Sequence, residues 1–213
     1  MALSLNLNRI KGPMDELKNT AFSDVPAGRG MVLLKEFKEY GFVKGKKPAH
    51  ELHLEIVAWT DPEGVAQTHR EIIFEDDGSR EEDICAAKLM RIAIAVGLFT
   101  PAQAEQMKAD GTLELDLNAA QNRPMFCEIV KKPDAKDPTK IYTNVAEGGF
   151  AYYHVKDKRC SDWPKLSILI NQSLALVGEW EPLKKGGAGG AGAATGTTTT
   201  TPPAKANPFA GKV

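Results

Sequence analysis

The chain of 213 residues has only three cysteines, Cys85, Cys127 and Cys160, odd in number and far apart. That scatter excludes a disulfide framework, offers no zinc-ligand spacing, and makes a reducing cytoplasm the natural compartment. Nowhere is there an apolar run of about 18 residues, so nothing in the sequence is expected to span a membrane. The start, Met1-Ala2-Leu3-Ser4-Leu5-Asn6, has neither the charged opening nor the apolar block of a signal peptide. No glycine-rich phosphate loop, nucleophile elbow or supported Cys–His pair is present. Acidic residues are absent beyond Glu181, whereas four of the 27 basic residues (Lys184, Lys185, Lys205, Lys212) lie there. The part up to Glu181 is therefore acidic by five charges despite an overall net charge of −1. An anion-binding role then requires positive charge gathered locally.

What is present begins with three strand-like stretches between Arg29 and Glu75. Met31–Tyr40 is rich in strand formers, His50–Thr60 alternates, and Gln67–Glu75 repeats the style. In the middle stretch Leu52, Leu54 and Ile56 share one face, with Glu51, His53, Glu55 and Trp59 on the other, the period of a half-buried strand. The loop joining the first two, Gly41–Pro48, carries Lys44, Lys46 and Lys47 and no acid. Asp61-Pro62-Glu63-Gly64 is a turn in which proline presets φ and glycine accepts a positive one.

After Asp76-Asp77-Gly78, Ser79 with Glu82 reads as a capping box opening a largely buried helix that stops at Gly97. Thr100-Pro101 opens a second helix to about Ala109, ended by Asp110-Gly111. Strand character returns at Pro124–Lys132 and Lys140–Val145, separated by a loop bearing Lys131, Lys132 and Lys136, with Lys140 just beyond. Phe150–Val155 reads as extended, Leu166–Val177 as helix, and Met14–Asn19 as a helical turn. From Gly186 the composition turns to Gly, Ala, Thr and Pro, with no large apolar residue before Phe209, which predicts a flexible tail.

Strand, strand, strand, helix, strand, strand is the order of the OB-fold, a five-stranded partly open barrel. The reading is a mainly β, OB-fold chain: residues 1–27 a lead, 28–182 the domain with extensions and 183–213 the tail. In that fold the loops joining strands 1–2 and 4–5 flank a single-strand-binding groove, and here both carry lysines. Such binding needs a basic path and aromatic platforms, each stacked base contributing about 1–3 kcal/mol. The expected nucleic-acid contacts are Lys44, Lys46, Lys47, Lys131, Lys132, Lys136 and Lys140 for phosphates, with Trp59, Phe126 and Tyr142 for stacking. His69, Arg70, Tyr152 and Tyr153 are secondary candidates.

From Val25-Pro26-Ala27-Gly28 to Gly148-Gly149-Phe150 the chain resembles phage-encoded single-stranded DNA-binding proteins of replication and recombination gene sets. The Leu-Asn-Leu-Asn start is similar too. Pro208-Phe209 resembles the last two residues of the tail tip of bacterial single-stranded DNA-binding proteins, although no acids precede it and Ala210-Gly211-Lys212-Val213 follow. The resemblance implies single-stranded DNA as partner, cytoplasmic action in an infected bacterial host, a part in DNA replication, recombination or repair, and replication or recombination proteins docking through Pro208 and Phe209.

Two other readings compete. One is a protein-interaction or virion component using the barrel as scaffold. The other is a metal-dependent nuclease built on Glu51, His53 and Glu55, or on Asp24, Glu36 and Lys38. Two-residue spacing on a strand supplies only part of a metal shell. The expectation is therefore a binding protein without catalysis, metal or cofactor.

Overall fold

The computed structural model describes residues 3–6, 27–40, 48–60 and 68–177. The strands are β1 (Leu3–Asn6), β2 (Gly28–Glu39), β3 (Ala49–Trp59), β4 (Thr68–Phe74), β5 (Thr112–Leu115), β6 (Pro124–Pro133), β7 (Ile141–Val145) and β8 (Tyr152–Tyr153). The helices are α1 (Ile84–Ala95), α2 (Pro101–Asp110), the kinked single turn α3 (Ala146–Gly149) and α4 (Ser167–Val177).

The alternation in β3 does what periodicity requires: Leu52, Leu54 and Ile56 are sealed in the core. Beyond Ile56 the pattern inverts. Met31 pairs with Ala58 but Val32 pairs with Ile56, leaving Val57 as an extra residue. A bulge of this kind shifts every later side chain to the other face. Trp59, placed by simple alternation with Glu51, His53 and Glu55, is therefore turned into the core, 5% exposed. A second irregularity lies between Leu34 and Glu36 on β2.

The main sheet runs β4-β3-β2-β6-β7, with β8 pairing to β6, and its register is antiparallel throughout. β1 and β5 form a separate two-stranded ribbon. No pairing joins β4 to β7 among the described residues, so the sheet is open. The expected OB-fold barrel, closed or partly closed, is not formed. Local strand and helix signals place elements along the chain, but closure requires pairing between strands that no local pattern encodes.

α1 is buried from Ala86 to Ala95, as a helix apolar nearly all round must be. It begins at Asp83, whose carboxylate accepts the Ala86 N–H, rather than at Ser79. α2 begins and ends where its residues direct. Thr100 and Gln103 form a reciprocal capping box, and Gly111 closes the helix at φ 87°. The extended reading of Phe150–Val155 shrinks to the two residues of β8. Met14–Asn19, the 61–64 turn and the tail 183–213 lie outside the described residues.

Candidate binding hairpin

β6 enters the molecule buried and leaves it exposed: Pro124–Cys127 and Ile129 are buried, Lys131 to Pro133 are not. It pairs outward with β7 through Lys131–Thr143, Lys132–Tyr142 and Pro133–Ile141. Residues 131–142 are exposed or half-buried throughout, so this hairpin end stands clear of the core.

Its turn is built by two aspartates. Asp134 Oδ1 accepts the N–H groups of Lys136 at 2.6 Å and Asp137 at 2.9 Å. Asp137 Oδ1 accepts from the Thr139 hydroxyl at 2.6 Å and, at 3.3 Å, from its N–H. Asp137 also pairs with the Lys140 ammonium at 3.1 Å. Backbone N–H donation from Lys136 and Asp137, together with the Tyr142 hydroxyl, holds the Asp134 carboxyl below its usual range. The Thr139 hydroxyl and Lys140 do the same for Asp137. Both carboxylates are thus engaged within the turn. Lys131, Lys132 and Lys136 are exposed and form no ion pair among the described residues. Beside them Ile141 is 64% exposed, an apolar contact point that sequence reading missed. Its only local signal is a β-branched residue next to Lys140 at the start of a strand.

The outward face of β2, β3 and β4 is the opposite case. Lys35 pairs with Glu55 at 3.0 Å, Lys38 with Glu36 at 2.8 Å, and Arg70 lies 3.8 Å from Glu51. His53 stands between Glu51 and Glu36, at 3.0 and 3.6 Å. Bonding to Lys38 lowers the Glu36 carboxyl's pKa. Positive and negative groups neutralise each other across this lattice. Among the described residues no group of three His, Cys, Asp or Glu is arranged to hold a metal ion. The Glu51–His53–Glu55 reading therefore lacks a shell, and Asp24 lies outside the described residues.

The expected stacking platforms are elsewhere. Phe126 does sit on the sheet face opposite Met125, but that face is covered: Trp163 packs edge-on against it with centroids 5.9 Å apart. Tyr153 meets the same indole at 5.5 Å and lies under the guanidinium groups of Arg159 and Arg91 at 4.5 and 5.2 Å. Arg29 lies over Trp163 at 5.3 Å and reaches Asp162 at 3.6 Å. Trp59, His69, Phe126, Tyr152 and Tyr153 are all buried. Tyr142 is half-buried and bonded to Asp134. Arg70 is exposed but belongs to the charge lattice on the other side of β2. Lys44, Lys46, Lys47, Pro208 and Phe209 lie outside the described residues.

The Cys127 and Cys160 thiols are buried and that of Cys85 is half-buried. Desolvation raises all three, Cys85 to about 12, with Cys127 and Cys160 also far up. No described helix is long and apolar enough to cross a membrane.

Single-stranded DNA binding was expected from a barrel groove with stacking aromatics. The open sheet supplies no such groove, and of the expected aromatics all but the half-buried Tyr142 are core residues. The implied phage single-stranded DNA-binding family, its replication and recombination roles and its partners lose their structural basis with the barrel. Comparisons with protein-family models, curated proteins and solved structures find no match to this chain.

Proposed function

We propose that this protein is a non-catalytic binding protein that docks an acidic, extended segment of a partner protein on the β6–β7 hairpin. The observation that carries this reading is the division of labour in that turn. Asp134 and Asp137 are engaged internally, while Lys131, Lys132 and Lys136 face solvent without counter-charge among the described residues. Exposed Ile141 adds an apolar contact beside them. Lys131 and Ile141 lie on one face of the hairpin and Lys132 on the other, so a segment that wraps the hairpin end with its carboxylates and sets an aliphatic side chain against Ile141 complements it in both charge and polarity. The neutralised lattice on β2–β4 has no comparable unmet charge.

Exposed ion pairs contribute roughly 0–1 kcal/mol each, so three together account for up to about a hundredfold change in affinity. Fluorescence anisotropy of a labelled Glu-rich peptide with the full chain tests this. Replacing Lys131, Lys132 and Lys136 with Ala should weaken binding by that factor and flatten its salt dependence. Replacing Lys35, which is paired within the lattice, should not. Equal binding by the wild type and the triple variant overturns the proposal.

A further inference from the structure

β4 is the edge strand of the main sheet, and its inward face is unusually polar: His69, Glu71 and Ile73 point to the core. Glu71 is bonded to the Lys88 ammonium of α1, both groups sealed from solvent. His69, two residues before it, is 1% exposed. Neither of its ring nitrogens has a hydrogen-bond partner among the described residues. Most buried polar side chains are bonded, so an imidazole left with neither bond marks a site under constraint.

We infer that β4 carries an acid release: His69, sealed under α1 beside Lys88, is the group whose protonation unseats this edge strand. The surroundings determine the sign. Leu54 lies opposite on β3 and offers no charge. From α1, Lys88 presents a cation. The inward-facing carboxylate of the same strand, Glu71, has its charge matched by that lysine through Oε1. The Cys127 thiol of β6 faces the Glu71–Lys88 pair and is held neutral by burial. A second cation at His69 therefore gains no free counter-charge. Burial, with Lys88 adding to it, pulls the folded-state pKa of His69 down to about 3. The unfolded chain takes up this proton near pH 6.5 and the folded chain does not, so stability is full above that value and is lost as pH falls. Glu71 works in the opposite direction. Burial raises its carboxyl, and a raised carboxyl adds stability as pH falls and loses it as pH rises. The test must therefore isolate His69. A second tie between the strands, His50 Nε2 to Glu75 Oε1 at 2.8 Å, lies at the far end of β4.

The experiment compares urea unfolding of the full chain and of His69→Leu across pH. Leu fills a similar volume and removes two unbonded polar atoms, so the variant is expected to match or exceed the wild type at pH 7.5. Between pH 7.5 and 4.5 the wild-type unfolding constant should rise about hundredfold relative to the variant's. Amide exchange at the lower pH should show β4 losing protection before β2 in the wild type only. Parallel pH profiles for the two proteins overturn the inference. If the variant does not fold, the imidazole carbon resonance of His69 in the wild type decides: no titration above pH 4.5 supports the release, and titration near 6.5 overturns it.

Discussion

A Cβ built on Gly30 would lie 2.0 Å from the Ala58 carbonyl oxygen and 2.8 Å from the Trp59 Cα. Both neighbours are backbone atoms at the bulge that turns Trp59 inward, so neither can give way without moving β3. Gly30→Ala is expected to cost about 1–3 kcal/mol or more, read as a lower urea midpoint. The Glu71–Lys88 pair offers a second test at this scale. Lys88→Met leaves a buried carboxylate alone and should cost about 3–5 kcal/mol. Adding Glu71→Leu removes that charge and should recover most of the loss, measured as a double-mutant cycle. Residue identity announced little of this. No local pattern links Lys88 to Glu71, which are 17 residues apart, and only the packing of α1 against β4 makes them a buried pair.

Among the elements, the two main helices differ in how clearly their starts are written. Pro101 presets the first turn, and Thr100 with Gln103 completes the cap, so α2 begins where its residues direct. Before α1, Ser79, Glu82 and Asp83 all offer capping chemistry. The helix takes the last of them, Asp83, the residue directly before its apolar stretch. Asp83→Ala should therefore destabilise by about 1 kcal/mol, while Ser79→Ala should leave thermal stability nearly unchanged. The Thr100 cap should show a cost of similar size. Alternation in β3 was legible up to Ile56 and failed at Trp59, because one extra residue reverses parity and leaves no mark in local composition.

At the scale of the whole molecule, acid sensitivity has a second source in His154. Burial, with Lys156 adding to it, lowers its pKa to about 4, against a smaller opposing pull from Asp157. A lowered histidine costs nothing above pH 6.5 and progressively more stability as pH falls toward 4. His154→Asn keeps an acceptor for the Lys156 N–H that the imidazole Nδ1 now holds at 3.2 Å. It should reduce by about one the protons taken up on unfolding in that window, measured from the pH dependence of the unfolding free energy. The charge distribution also belongs to this scale. The lysines of the β6–β7 loop were readable as a cluster. That the two aspartates between them would be drawn into the turn, leaving three cations unmatched among the described residues, depends on the turn geometry.

The sequence by itself determined most of the segments: the strands β2, β3, β4, β6 and β7 though not the β1–β5 ribbon, where α2 starts and stops, which face of β3 up to Ile56 is apolar, and where positive charge gathers. These follow from short-range periodicity, capping and turn chemistry, which act over a few residues. Only the tertiary structure decided that the sheet stays open, that Phe126 and Tyr153 are covered by Trp163, and that His69 lies unbonded beneath α1. Each of those depends on contacts between residues distant in the chain, whose pairing and register no local pattern specifies.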